Sequence, residues 1–170
     1  MQDTALAADI NAIARLKGSF RLRSGTMADT YFDKYRFESE PALLRRIAQA
    51  MVDRIPAGTQ TLAGLELGGV PLATAMSLHC GLPAVFVRKI AKEYGTCKAV
   101  EGRDVAGLNV AIVEDVISTG GAVVQAAQML QDAGATLTAV ICAIWRPAAP
   151  PAIAGLAVPV LPVLTSRDLG

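Results

Sequence analysis

The stretch VAIVEDVISTGGA, residues 110–122, holds the side chains most able to do chemistry. An apolar run delivers two acids, Glu114 and Asp115, and a turn of small residues follows at once: Ser118, Thr119, Gly120 and Gly121. The glycines permit backbone conformations that turn N–H groups inward. Those amides, the two hydroxyls and the N-terminus of the helix that opens at Ala122 favour a phosphate. The acids would repel that phosphate, so they suit hydroxyl donors or a magnesium ion a few ångströms away. A phosphate at one end with vicinal hydroxyls beside it describes a ribose 5-phosphate. A strand that ends in an acid and a Gly-rich turn also occurs in dinucleotide-binding folds and in receiver domains, where Asp115 would be the phosphate acceptor. No GxGxxG and no GxxxxGK[ST] is present, so nucleotide readings lose their main support.

Four other segments carry polar groups worth placing. Residues 86–102, FVRKIAKEYGTCKAVEG, bring Arg88, Lys89 and Lys92 into a polar stretch right after an apolar one. Residues 65–73, LELGGVPLA, place Gly68 and Gly69 where a backbone could approach an anion closely, with Glu66 as an unexpected acid suited to a buried hydrogen bond or a water-bridged magnesium. FRLRSG (20–25) and TYFDKY (30–35) combine Arg23 with the aromatic pair Tyr31 and Phe32. Arg146, in AIWRP, ends an apolar run and offers a planar fork that fits a carboxylate. His79 is the single histidine and has no spaced carboxylate or cysteine partner, which favours a structural role.

These groups need elements to hold them. The pattern predicts a helix over 3–16, a strand over 20–25 that runs into a turn, and a second strand over 31–37. A helix over 41–55 follows, capped by Ser39, with Pro41 in its first turn and Leu44, Ile47, Ala48, Met51, Val52 and Ile55 on one face. From there strands (61–67, 84–89, 109–116, 136–145) alternate with helices (71–80, 122–133), and residues 90–104 read as a long mobile loop. Near-continuous apolar strands alternating with helices predict an α/β fold whose parallel sheet is covered on both faces. Ligands of such sheets bind at the carboxyl ends of the strands, which selects segments 66–70, 88–98, 114–121 and 145–147.

Composition sets the outer limits. A chain of 170 residues, 52% apolar and 18% charged, suits one folded domain and excludes intrinsic disorder. A net charge of +1 argues against general nucleic-acid coating. Cys80, Cys97 and Cys142 form no CxxC pair, which fits a reducing cytoplasm and neither a disulfide framework nor a zinc site. The opening MQDTALAADI has two acids and no base, unlike a secretory signal. The charge-free stretch 147–164 is broken by Pro147, Pro150, Pro151, Pro159 and Pro162, unlike a bilayer helix.

VAIVEDVISTGGA resembles the phosphoribosyl pyrophosphate (PRPP) signature of the type I phosphoribosyltransferases, and the other segments are similar to those of the orotate-using members of that family. The resemblance spans roughly residues 18–147, and the tail 158–169 fits the family's closing strand and helix turn. It implies a single domain over 1–170 with a small hood from 1–37 and 147–170. It implies PRPP contacts from Arg88, Lys89, Lys92, Tyr94, Gly68, Gly69 and the run Glu114, Asp115, Val116, Ile117, Ser118, Thr119, Gly120, Gly121 and Ala122. Asp115 and Glu114 would take the ribose hydroxyls, and Lys92 would act with them in catalysis. Orotate would meet Arg23, Tyr31, Phe32, Ser118 and Arg146, with Phe32 stacked on the ring. Mg²⁺ would come bound mainly through PRPP, with no direct protein ligand. A cytoplasmic homodimer with shared active sites is also implied, with no membrane or nucleic-acid partner. Two departures stand out in the basic loop, Ile90 where relatives often have an acid and Tyr94 where they have a His. Some relatives also carry a Lys at the place of Gly68. Transfer to another base, and PRPP binding without catalysis in a regulator, are the alternatives.

Overall fold

The computed structural model describes residues 4–22, 24–90 and 98–170. Helix α1 (Thr4–Ala14) leads directly into β1 (Arg15–Arg21), which pairs antiparallel with β2 (Met27–Phe32) as a separate two-stranded ribbon. Two helices follow, α2 (Lys34–Glu38) and α3 (Pro41–Val52). The rest alternates: β3 (Thr61–Leu65), α4 (Gly69–Cys80), β4 (Ala84–Val87), β5 (Val100–Glu101), β6 (Asn109–Ile117), α5 (Gly121–Asp132), β7 (Thr136–Trp145), β8 (Val160–Thr165) and α6 (Ser166–Leu169).

The main sheet has the order β5-β4-β3-β6-β7-β8. All its pairs are parallel except the short β4–β5 pair. Successive residues of β6 face opposite sides, as a strand requires. Ala111 and Val113 pack with α1, α3 and α4, whereas Val110 and Ile112 pack with α5. Leu43, Ile47, Ala48 and Met51 form the buried stripe of α3. Each large side chain in such a stripe contributes about 2 kcal/mol on burial. From β3 the chain runs outward to β4 in one direction, and from β6 outward to β7 and β8 in the other. The carboxyl ends of β3 and β6 therefore flank the point where the strand order reverses, the preferred crevice for ligands in such sheets.

The α/β parallel-sheet expectation holds, and several local expectations are corrected. Residues 31–37 are not one strand: β2 ends at Phe32, and Asp33 caps α2 by accepting the Tyr35 N–H at 3.2 Å. Ser39 does not cap α3. It closes α2, and Glu40 precedes α3 without a side-chain cap. The first strand runs over 15–21 rather than 20–25, because it begins where α1 stops. Residues 100–101 of the expected long loop form β5. The tail divides: β8 extends the main sheet, while α6 returns to α1, where Asn11 and Arg15 donate to the Leu169 carbonyl at 2.6 and 2.9 Å.

Candidate active site

Asp115 lies at the end of β6 and is fully buried. Its Oδ1 accepts from the N–H of Val116. Its Oδ2 lies 2.6 Å from the ammonium of Lys34. Lys34 and Glu38 stand four residues apart on α2, on one helix face, and both reach Asp115. Glu114 turns its Oε1 to the N–H of Asp115 at 2.9 Å and also shares a hydrogen bond with its carboxyl. Three carboxyls and one ammonium thus meet in a nearly dry site. Burial raises the Glu38 and Glu114 pKa values to about 9, with the hydrogen bond to Asp115 and its charge adding to the effect. Burial alone would also raise Asp115. Hydrogen bonds from Glu114, Glu38 and Lys34 outweigh it and hold Asp115 below the usual carboxylate range. At neutral pH the cluster is one carboxylate, two protonated acids and one ammonium. The sequence reading named Asp115 and Glu114 but missed Lys34 and Glu38.

The turn after β6 is open where a phosphate would need it. Ser118 and Thr119 are exposed, and Gly120 takes a positive φ of 79° just before α5. Gly121 and Ala122, the first residues of that helix, are exposed as well. Val116 is half-buried against the core and Ile117 is buried within it, so Ile117 faces this turn through its main chain. The loop after β3 comes across to meet β6. A Cβ at Gly68 would lie 1.8 Å from Oδ2 of Asp115, and one at Gly69 would lie 2.3 Å from the carbonyl of Val113. Close approach to β6 is thus what requires glycine at both positions. The Glu66–Leu67 peptide bond in this loop is cis.

The basic segment begins beside that loop. The exposed carboxylate of Glu66 accepts from the N–H of Lys89 at 2.9 Å, which fixes the root of the segment to the end of β3. Of the roles expected for Glu66, the hydrogen bond is present, at an exposed side chain rather than a buried one. Arg88 donates its N–H to Ala99 and places its guanidinium 3.7 Å from Glu101. Lys89 and Ile90 are exposed. The expected contacts of Lys92 and Tyr94, like that of Arg23, lie outside the described residues.

Across β7 lies a cavity of about 480 Å³, lined by Leu22, Tyr31, Phe32, Ile144, Arg146 and Ser166 among others. Arg146 follows β7, and its N–H donates to the carbonyl of Ile117, next to Ser118, at 2.9 Å. Its guanidinium stands 5.9 Å from the centre of the Phe32 ring. Phe32 packs on the buried Phe37, and Tyr31 stands 5.5 Å from Phe20. An aromatic wall and a forked cation therefore share one cavity, and the backbone of Arg146 ties that cavity to the end of β6 just before the turn. Cys142, on β7 beneath the site, is buried and its thiol pKa is pushed up, first by burial and then by Glu114 and Asp115, so it is inert.

Comparison with known proteins agrees with this geometry. The phosphoribosyl transferase domain family matches residues 36–159. An orotate phosphoribosyltransferase from a Nocardioides species is 56% identical over 168 residues, covering 98% of this chain and 94% of the relative. The chain belongs to the orotate phosphoribosyltransferase family. Another member, from Halobacterium salinarum, is 47% identical over 76% of this chain and 73% of its own length. In structure the chain is similar to the Mycobacterium tuberculosis orotate phosphoribosyltransferase crystallised with PRPP, with a TM-score of 0.84, 27% identity and coverage of 100% and 99% of the two chains. The family's type I fold is the one seen here, a mixed, mostly parallel sheet flanked by helices. Among the described residues no helix is long and apolar enough to cross a membrane.

Proposed function

We infer that the chain transfers the 5-phosphoribosyl group of PRPP to N1 of orotate, giving orotidine 5′-monophosphate and pyrophosphate in the synthesis of pyrimidine nucleotides. The observation that carries this reading is the placing of Asp115, paired with Lys34, and a turn exposed at Ser118, Thr119 and Gly121 next to a cavity walled by Phe32 and Arg146, whose N–H bonds to Ile117. The C1–diphosphate bond breaks, the bond from C1 to N1 forms on the opposite face, and the N1 proton is released. The transition state carries positive charge at the sugar, as at other glycosidic centres.

The chain's part is positioning and charge. Asp115 accepts hydrogen bonds from the ribose hydroxyls, with Glu114 buttressing it. Ser118, Thr119 and the amides of Gly120, Gly121 and Ala122 hold the 5-phosphate. Arg88, Lys89 and Lys92 offset the charge of the leaving pyrophosphate, beside the loop of Gly68 and Gly69. Arg146 pairs with the orotate carboxylate, Phe32 stacks on the ring, and Arg23 and Tyr31 close over it. A hood from 1–37 and 147–170 covers the base within a single domain.

Magnesium fits this site as an ion carried by the donor's own oxygens. Asp115 is already neutralised by Lys34, and the exposed Glu66 is the carboxylate left beside the loop to accept from the ion's water shell. When bound, the ion offsets charge on the diphosphate. We also place the enzyme in the cytoplasm as a homodimer with shared active sites.

The test is pyrophosphate release with PRPP and Mg²⁺, run with orotate, uracil, adenine or hypoxanthine. Release should require orotate and should collapse in Asp115→Asn. Release with a purine instead would transfer the enzyme to another base, and tight PRPP binding without release under any base would make the chain a regulator.

A further inference from the structure

The pyrophosphate loop, Glu66-Leu67-Gly68-Gly69, has no cation of its own and carries an acid. A diphosphate brought there needs positive charge from elsewhere. Lys34 stands at that place. Its ammonium is 2.6 Å from Oδ2 of Asp115, the same oxygen that a Cβ on Gly68 would strike. The ammonium and the loop backbone thus meet at one carboxylate oxygen, although Lys34 is 34 residues from Gly68 and 81 from Asp115 in sequence.

Each oxygen of Asp115 already has a partner: Val116 N–H donates to Oδ1, and the Lys34 ammonium stands at Oδ2. Glu38 and Glu114 pack beside the same carboxyl. Ribose hydroxyls that donate to Oδ2 must share or take the place of the Lys34 ammonium, the one partner shown there. Val116 and Glu114 are held beside Asp115 by the chain itself, and Glu38 is buried. Lys34 differs: its side chain is one-third exposed, on a long flexible stem, and its ammonium also lies 5.1 Å from the ring centre of the exposed Tyr35. It is the donor free to turn outward.

We propose that Lys34 is a positioning residue for the phosphoribosyl donor: it holds Asp115 in the empty site, yields that carboxylate to the sugar hydroxyls, and turns its ammonium to the diphosphate at the Gly68–Gly69 loop. The exchange keeps the site's charge balanced at each stage. Asp115 is never left as a bare buried anion, and the incoming diphosphate meets a cation where the loop supplies none. This role rests on the reading of the crevice as a PRPP site.

The experiment measures KM for each substrate, and the equilibrium binding of PRPP, of ribose 5-phosphate and of magnesium pyrophosphate by calorimetry, in wild type, Lys34→Met and Lys34→Arg. Lys34→Met should raise the KM for PRPP and weaken magnesium pyrophosphate by roughly ten- to hundredfold, the range of one charge-assisted hydrogen bond. The KM for orotate should stay within about twofold of wild type, because the lost bond is on the donor side alone. Lys34→Arg, which keeps the charge, should recover most of the loss and guards against a folding defect in the methionine variant. Unchanged pyrophosphate binding in Lys34→Met, with ribose 5-phosphate weakened, would reduce Lys34 to a prop for Asp115 and overturn the proposal. Equal losses for both substrates, or an arginine variant no better than methionine, would overturn it too. Wild-type protein that binds PRPP but ignores orotate breaks the acceptor assignment and leaves Lys34 measurable by calorimetry. Wild type that fails to bind PRPP removes the donor site and Lys34's role together.

Discussion

Gly68 and Asp115 are packed so closely that a single methyl group on the glycine would fall 1.8 Å from Oδ2 and 2.4 Å from Cγ of the carboxylate. Asp115 has nowhere to retreat, since Val116 N–H holds one oxygen and Lys34 the other. Gly68→Ala therefore forces either the β3–α4 turn or the carboxylate out of place. Overpacking of this kind costs about 1–3 kcal/mol. In a chain of this size that corresponds to a melting temperature lower by roughly 3–10 °C. Pyrophosphate release should fall with it. Gly121→Ala is the contrast for stability, because a Cβ there would meet only the Thr119 hydroxyl, at 3.9 Å. Thermal melting of the two variants decides: equal melting temperatures would show that the turn after β3 yields freely.

The acid cluster predicts how stability follows pH. Glu38 and Glu114 are each pushed up to about 9 in the folded chain, chiefly by burial, whereas an unfolded glutamate ionises near 4.5. Below pH 4.5 both states are protonated and nothing is lost. Between pH 4.5 and about 9 the folded chain holds protons that the unfolded chain releases, so stability falls as pH rises. Asp115 acts oppositely: its pKa is lowered in the fold, and its contribution is lost as pH drops below the ordinary aspartate range. Lys34 on α2 and Asp115 and Glu114 on β6 are the titratable groups that face Glu38. Glu38→Gln keeps a hydrogen-bond donor beside Asp115 and removes one titration. Its melting temperature should decline less than that of wild type between pH 5 and 9, with the largest gain at the alkaline end. Parallel curves for the two proteins would mean that Glu38 is ionised in the fold.

How far the sequence revealed this arrangement depends on how local each signal is. The strand–acid–glycine run at 110–122 is contiguous, so β6, its turn and α5 could be read within a residue or two. Lys34 and Glu38 were hidden because Tyr31, Phe32, Tyr35 and Phe37 give residues 31–37 the aromatic content of a strand. The signal that could have exposed them is Asp33, a capping type placed just ahead of Lys34, which would have started a helix and put residues 34 and 38 on one face. The tight approach of Gly68 to Asp115 spans 47 residues and rests on the β3–β6 pairing, which no local pattern encodes. Glu66 was visible as an acid, but its partner is a main-chain N–H of Lys89, and main-chain donors leave no mark in a sequence.

Arg146 tests the acceptor side independently of the donor. Its backbone is tied to Ile117 and its guanidinium lies over Phe32, so the side chain is aimed into the cavity at little cost in entropy. Arg146→Ala should raise the KM for orotate by roughly ten- to hundredfold and leave that for PRPP nearly unchanged. Arg146→Lys should recover only part, because an ammonium cannot grip a carboxylate with two parallel bonds. Uracil has no carboxylate, so the preference for orotate over uracil should shrink in the alanine variant. Steady-state kinetics with both bases settles it, and equal losses for PRPP and orotate would remove the assigned role.

The proposed dimer can be tested through two residues that act on the same reaction from different places. Asp115 is buried at the end of β6, whereas Lys92 follows the root held by Glu66 and Lys89. If that segment serves the partner's crevice, a Lys92→Ala chain and an Asp115→Asn chain are each inactive alone, yet a dimer of one with the other holds one site with both defects and one with neither. Random mixing makes about half of the dimers hybrid, each with one intact site of two, so roughly a quarter of wild-type activity should return. The variants are mixed, dissociated and reassembled together, and pyrophosphate release is compared with each variant carried through the same treatment. If each crevice instead uses the cations of its own chain, every site in the hybrid keeps one defect and no activity returns.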